Sequence, residues 1–321
     1  MSVTLNAAHQ NDKRANRDGY ISAMLEMMKT NSKIAHVDCD LAGCINAGKI
    51  KKEFPGQYFN AGIAEQNAVG VCAGMAASGM IPYMHTFAAF ASRRCFDQAF
   101  LSAGYSKLPV HITASDPGVT AAFNGATHMP FEDGALYLTV PDVVVIDSCD
   151  YVQTYSLTKK LAEVEGLTYM RVVRKGFKTI YADGSEFEIG KGVTLKEGSD
   201  VTIIASGIMV DEALLAQEAL EAEGISAGVI DMHTWKPLDE ELIIKAAKET
   251  GCIVTAENHQ ISCGLGSAVS NVLTASCPVP LERVGILNRF GQVGPQDFLM
   301  DEYNLRSADI VAAAKKAISR K

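Results

Sequence analysis

One carboxylate, two aromatics and one histidine stand out among the residues that could do chemistry: Glu65, Phe87, Phe90 and His128. Glu65 follows a short extended segment, Tyr58-Phe59-Asn60-Ala61-Gly62, and opens a run of small residues that includes Gly70, Gly74 and Gly79. Phe87 and Phe90 stand just beyond the strand-like Ile81-Pro82-Tyr83-Met84. An acid and an aromatic pair at neighbouring element ends sit where open α/β sheets bind ligands, and this reads as half of a cofactor site. Each residue also has a plainer reading. A Glu in a helix's first turn is favoured by the helix dipole, and aromatics at i and i+3 commonly pack in cores. His128 lies in Gly125-Ala126-Thr127-His128-Met129-Pro130, where it is either a surface residue or an acid–base group suited to neutral pH.

The elements that must position these residues follow from periodicity. Helical spacing covers Asn16 to Thr30, with Arg17 near its start, and a short strand runs from Ile34 to Val37 into the polar turn Asp38 to Gly43. The stretch after Glu65 reads as a helix packed closely through its glycines, because close backbone approach would offset glycine's cost of roughly 1 kcal/mol per residue. A helix is expected around Asp97 to Ala103 and a strand at Pro109 to Thr113, followed by a long loop, Ala114 to Pro130. Val143 to Ile146 is an apolar strand, Val152 to Val164 a helix, and Thr168 to Val173 a strand with Arg174 at its end. This rhythm of apolar strand, loop and helix argues a mostly parallel sheet covered on both faces.

Between Lys175 and Asp200 the rhythm breaks into a glycine-rich linker with short hairpin-like strands. A second α/β unit then begins at Val201 to Ala205. The fold class is therefore α/β with two doubly wound domains, residues 1–185 and 186–321. A net charge of −8 without a basic cluster excludes a nucleic-acid partner. The longest apolar run, Ala68 to Pro82, falls short of the roughly 20 residues of a membrane span. The N-terminal stretch has no apolar leader core. Eight cysteines with no C-x-x-C pair read as thiols in a reducing compartment, so a cytoplasmic location is expected. Nucleophile-elbow, dinucleotide and P-loop signatures are missing, and no His, Cys and carboxylate cluster has metal-ligand spacing.

Five segments, in order, resemble the C-terminal, pyrimidine-binding half of transketolase, within the thiamine diphosphate enzymes. They are Asp38-Cys39-Asp40-Leu41, Phe59 to Gln66, Pro82 to Phe87, Asn124 to His128 and Asp231 to Asp239. The resemblance implies that Glu65 hydrogen-bonds N1′ of the cofactor's aminopyrimidine, favouring the tautomer that takes a proton from thiazolium C2. It implies that Phe87 and Phe90 wall that ring, that His128 contacts the donor ketose and helps move protons, and that Arg17 and Arg174 hold a substrate phosphate. The family's G-D-G…N segment, which binds diphosphate and a divalent metal (Mg2+), is missing. The resemblance then implies a split enzyme, whose N-terminal transketolase-like subunit carries the diphosphate and metal. The expected assembly is a homodimer or a two-plus-two heterotetramer.

Several positions depart from the family. Ser92, Arg93 and Arg94 stand where a third aromatic is expected, Asn124 replaces an acid, and Cys44 replaces a hydroxyl. Ser115-Asp116-Pro117-Gly118 lacks a histidine. These changes point to an altered donor or acceptor sugar phosphate. The expected activity is transfer of a two-carbon ketol unit from a ketose phosphate to an aldose. The alternatives are the beta subunit of a 2-oxoacid dehydrogenase, a deoxyxylulose-phosphate-synthase-like activity, and a non-catalytic assembly subunit. The C-terminal domain is expected to be structural.

Overall fold

Strands such as Ile34–Asp38, His111–Ser115 and Thr168–Val172 are buried at every position, so both faces of their sheet are covered. That burial is what a parallel sheet flanked by helices requires. The computed structural model describes residues 2–6 and 11–321, so part of the N-terminal stretch discussed above lies outside the described residues. Its largest sheet has seven strands, in the order Thr234–Lys236, Val144–Asp147, Thr168–Val172, His111–Ser115, Ile81–Phe87, Ile34–Asp38 and Tyr58–Asn60. All pairings are parallel except that of Thr234–Lys236, which runs antiparallel to Val144–Asp147 at the edge.

That edge strand comes from the second half of the chain. The second sheet orders Leu281–Ile286, Ile253–Gln260, Val201–Ala205, Ala227–Asp231 and Val193–Lys196, and only the last is antiparallel. The C-terminal half is thus joined to the first sheet by strand pairing as well as covalently. Trp235, on that edge strand, is buried, and its Nε1 donates to Ser206 Oγ at 3.0 Å. Arg171 links the halves more deeply. Its guanidinium donates to Asp133 at 2.9 Å, to Asp147 at 3.0 Å and to the backbone oxygen of Asn258 at 2.9 Å, all buried.

Several expectations change in the folded chain. The strand begun at Ile81 runs to Phe87, which brings His85 and Phe87 into the sheet. The stretch after Gln98 widens into a π-helical turn, Ala99–Tyr105. The strands between Lys175 and Asp200 form no hairpin with each other. Gly176–Lys178 pairs with Asn11–Ala15, and Val193–Lys196 caps the second sheet. Gly70 and Gly74, in the helix after Glu65, make no close approach within the chain. A Cβ at Gly70 or Gly74 would meet nothing within 4 Å, so their approach surface faces outward.

Candidate active site

The carboxyl-terminal ends of the first sheet's strands converge on one corner of the molecule. The strand ending at Phe87 delivers that ring directly, and the helix Ala88–Arg93 carries Phe90 one turn on. Glu65 is the first residue of the helix Glu65–Ala77 and is 2% exposed. Its Oε2 is buried without a hydrogen-bond partner, and Arg94 Nη1 lies 3.8 Å away. A buried, unshared carboxylate oxygen at a helix start is costly unless something completes it.

The candidate residues form a continuous path of contacts. The Arg94 guanidinium lies 5.9 Å from the Phe90 ring centre, and Phe90 is 5.0 Å from the His128 ring. His128 in turn meets Phe87 at 5.6 Å, edge to face, and Phe87 meets Phe90 at 6.0 Å. The Arg174 guanidinium sits 5.1 Å from the Phe87 ring centre. Arg174 Nη1 approaches Cys44 Sγ at 3.7 Å, and Arg17 Nη1 donates to the Cys44 backbone oxygen at 2.9 Å. So Glu65, Phe90, His128, Phe87, Arg174 and Arg17 are brought together, with Arg94 and Cys44 as links.

Local structure explains the placement. Arg17 N donates to Val173 O at 3.1 Å, which ties the start of the helix Asn16–Thr30 to the end of the strand Thr168–Val172. The two arginines therefore converge, although the sequence separates them widely. His128 closes a short 3-10 turn, Ala126–His128, and its Nδ1 is 2.9 Å from Thr127 Oγ1. The loop before it is held by the C-terminal half: Asn258 Oδ1 accepts from Val119 N at 3.0 Å and Nδ2 donates to Pro117 O at 3.0 Å.

Sequence reasoning misses several of these residues. Arg94 marks only the place of an absent aromatic in the sequence, yet its side chain reaches Glu65. Asp116 is buried and pairs through Oδ2 with Arg174 Nε, while Oδ1 accepts from Arg174 N at 3.2 Å. Burial pushes the Asp116 carboxyl up to about 6, against the pull of Arg174 and Arg17. Asn258 carries no local signal, because its contacts reach 139 and 141 residues back along the chain. Contrary to the linear spacing, folding also gathers His36, Asp38 and His85, whose ligand-type atoms all lie within 4.8 Å of one another. The parallel register that sets Asp38 beside His85 produces this cluster. His85 Nδ1 is 3.1 Å from Asp38 Oδ1 and Nε2 is 3.0 Å from Ser115 Oγ, which joins three strand ends. Asp38 Oδ2 accepts from Leu41 N at 2.8 Å and so fixes the polar turn beneath Cys44. Burial drives the His36 ring down to about 3, leaving it neutral.

Comparison with known proteins decides the family. Residues 12–178 match the transketolase pyrimidine binding domain, and residues 190–310 match the transketolase C-terminal domain. The chain belongs to the transketolase family. It is 43% identical over 305 residues to "6-deoxy-6-sulfo-D-fructose transketolase subunit SqwH" of Clostridium sp. (strain MSTE9), covering 95% of each chain. It is 36% identical to a subunit of an apulose-4-phosphate transketolase from Phocaeicola vulgatus, covering 97% of this chain and 99% of that one. Among solved structures it resembles "Split gene transketolase, inactive beta4 tetramer" with a TM-score of 0.90 and 42% identity, covering 97% and 100%. This is a transketolase-type subunit of a thiamine diphosphate-dependent family, of the extent of the split-enzyme subunits it resembles. No helix among the described residues is long and apolar enough to cross a membrane.

Proposed function

We propose that this transketolase subunit supplies the pyrimidine side of a thiamine diphosphate site and the substrate side of the cleft. A second chain would supply the diphosphate and Mg2+ contacts. The buried Oε2 of Glu65 carries this reading, because it accepts no hydrogen bond, has the Arg94 guanidinium no nearer than 3.8 Å, and is an acceptor that a buried donor would complete. The residues present fit the cofactor's aminopyrimidine: Glu65 would accept from the ring nitrogen, and Phe87 and Phe90 would wall it. When bound, thiamine diphosphate supplies the nucleophilic carbon that takes up the two-carbon unit. His128, edge-on to both aromatics and half-buried, would hold a donor hydroxyl and move its proton. Arg17 and Arg174 would grip the anionic end of the ketose, since guanidinium suits oxyanions geometrically.

Assembly with other chains has its own support. The helix Glu65–Ala77 leaves Gly70, Val71 and Gly74 outward, and the nearby Ile63, Leu101 and Tyr105 are 77%, 51% and 80% exposed. A close-packed chain interface, homodimeric or two-plus-two, would cover this apolar surface beside Glu65. The related structure, described as an inactive beta4 tetramer, fits a subunit that needs a partner. The relatives named for 6-deoxy-6-sulfo-D-fructose and apulose 4-phosphate favour a ketose donor with an anionic terminus. Unpaired cysteines throughout accord with a cytoplasmic location.

Calorimetric titration of thiamine diphosphate with Mg2+ tests the reading on the chain alone and on its complex with the co-purified partner. The expected result is binding only by the complex. Tight binding by the lone chain would contradict the shared site.

A further inference from the structure

Three residues with no part in the proposed ketol transfer share one buried face of the first sheet. His36 and Asp38 alternate with Val37 on the strand Ile34–Asp38, so both lie on the same side, and parallel register sets His85 directly beside Asp38. All three are fully buried, and their ligand-type atoms lie within 4.8 Å of one another. Asp38 Oδ1 is 3.1 Å from His85 Nδ1 and 3.9 Å from His36 Nε2. His36 Nε2 has no hydrogen-bond partner, although the residue is 0% exposed. Its other ring nitrogen, Nδ1, already meets Tyr20 Oη at 2.9 Å, so neither neutral tautomer satisfies Nε2. A buried polar atom left in that state is costly unless something completes it.

The far side of each group is already held. Tyr20 Oη can accept from His36 Nδ1–H and Ser115 Oγ, at 3.0 Å, from His85 Nε2–H, while Asp38 Oδ2 accepts from Leu41 N at 2.8 Å. That leaves His36 Nε2, His85 Nδ1 and Asp38 Oδ1 facing one another, each backed by an outer partner as metal ligands are. Ligand atoms about 2.1 Å from a tetrahedral zinc ion stand about 3.4 Å apart. Closing onto one ion therefore asks for about half an ångström between His36 and Asp38, and at most about 1.4 Å between the two rings. Two imidazoles and one carboxylate suit a first-row transition ion better than Mg2+ or Ca2+, whose ligands are oxygens. We propose that His36, Asp38 and His85 bind a divalent transition metal ion, Zn2+ by the chemistry of the donor set, as a structural clip between two strands. The clip joins the strand that runs into the polar turn to the strand that delivers Phe87. Three protein ligands leave one tetrahedral position for a water. Entry is from the sheet edge, where the half-buried Tyr58 lies against the His36 ring at 5.8 Å.

The test uses the full chain, stripped with a chelator and titrated with ZnCl2 in the absence of thiamine diphosphate. The expected result is one Zn2+ per chain, with Kd below about 1 μM, still found by elemental analysis after gel filtration. Thermal unfolding should shift upward with the ion, because an ion that binds only the folded chain stabilises it. In His36→Gln the affinity should fall by at least about 100-fold, the upper end of what losing a mere outer partner costs, and the thermal shift should vanish. A wild-type chain that retains no zinc would overturn the proposal. So would a folded His36→Gln that retains it unchanged, which would trace the ion to other groups such as the partly exposed Cys44 and Cys263. Should the variant fail to fold, X-ray absorption of the zinc-loaded wild-type chain decides the matter. Two imidazoles with oxygen at about 2.0–2.2 Å support the proposal, and a shell that contains sulfur or lacks imidazole overturns it.

Discussion

Asn258, on the second sheet, occupies the space that a side chain at Gly118 would need. A Cβ on Gly118 would lie 2.2 Å from Asn258 Oδ1, and Gly118 itself has φ +56°. The loop that carries His128 is thereby docked on the C-terminal half through the two hydrogen bonds of Asn258. A side chain of the C-terminal half thus shapes the candidate site.

Gly118→Ala should therefore cost more than a surface substitution. It combines a steric clash with a left-handed backbone, each of which disfavours a side chain. The loop is expected to shift and ketol transfer to fall by about 100-fold, a loss of the size that small misplacements cause. Asn258→Ala leaves Val119 N buried without a partner, while Pro117 O keeps the Thr120 hydroxyl at 2.6 Å, and the change should destabilise the chain by about 2 kcal/mol. Denaturant unfolding and turnover of the assembled enzyme check both. Wild-type turnover in Gly118→Ala would mean that the loop does not set the site.

His128→Ala should lower turnover by about 100-fold or more, the usual scale for a general acid–base group. Cofactor affinity should hold within a few-fold, because His128 touches the aromatic rings at their edges. Steady-state kinetics and cofactor titration separate the two effects. An equal loss in both would place His128 against the cofactor instead of the donor.

Arg171→Met should unfold the chain far more readily than any surface change. It removes the cation shared by Asp133 and Asp147 and leaves two carboxylates in the core. Breaking a buried pair in this way costs about 3–5 kcal/mol. Chemical denaturation measures it, and a loss below about 1 kcal/mol would show that the network contributes little.

Asp231 should make stability fall as pH rises. Burial holds its carboxyl up at about 7 in the fold, against a usual 3.8, although Tyr181 Oη and Gln153 Nε2 both donate to it at 2.6 Å. Between these values the folded chain binds the extra proton, so this group's contribution is fully present below the unfolded value and is lost as pH rises through the folded one. In Asp231→Asn that loss disappears. The stability difference, variant minus wild type, should rise from pH 4 to pH 7 and level off above. A flat difference across that window would show that Asp231 is ionised in the fold.

How far the sequence reveals this site depends on the range of the interaction. Glu65, Phe87 and Phe90 are legible because one short stretch sets an acid, a small-residue helix and a strand end in order. The parallel strands are legible because apolar runs announce burial on both faces. Thr234–Lys236 is not, since three residues of a second unit can join a distant sheet edge without any periodic signal. Asp116 hides because its meaning depends on Arg174, 58 residues away. The glycines after Glu65 signal close approach, but their spacing does not say against what: the open face of Gly70 and Gly74 looks outward. His36, Asp38 and His85 meet only through strand register, which spacing along the chain does not display.

The most direct test of the central claim is turnover of Glu65→Gln in the complex with the partner chain, measured with thiamine diphosphate and Mg2+ saturating. Glutamine keeps the shape of the side chain and the helix start, so thermal unfolding should match the wild type. Ketol transfer is predicted to fall by about 1,000-fold, in the upper range for loss of a group that governs proton transfer. Turnover within about threefold of the wild type, a difference of under 1 kcal/mol in barrier, would contradict the assignment of Glu65 to the cofactor.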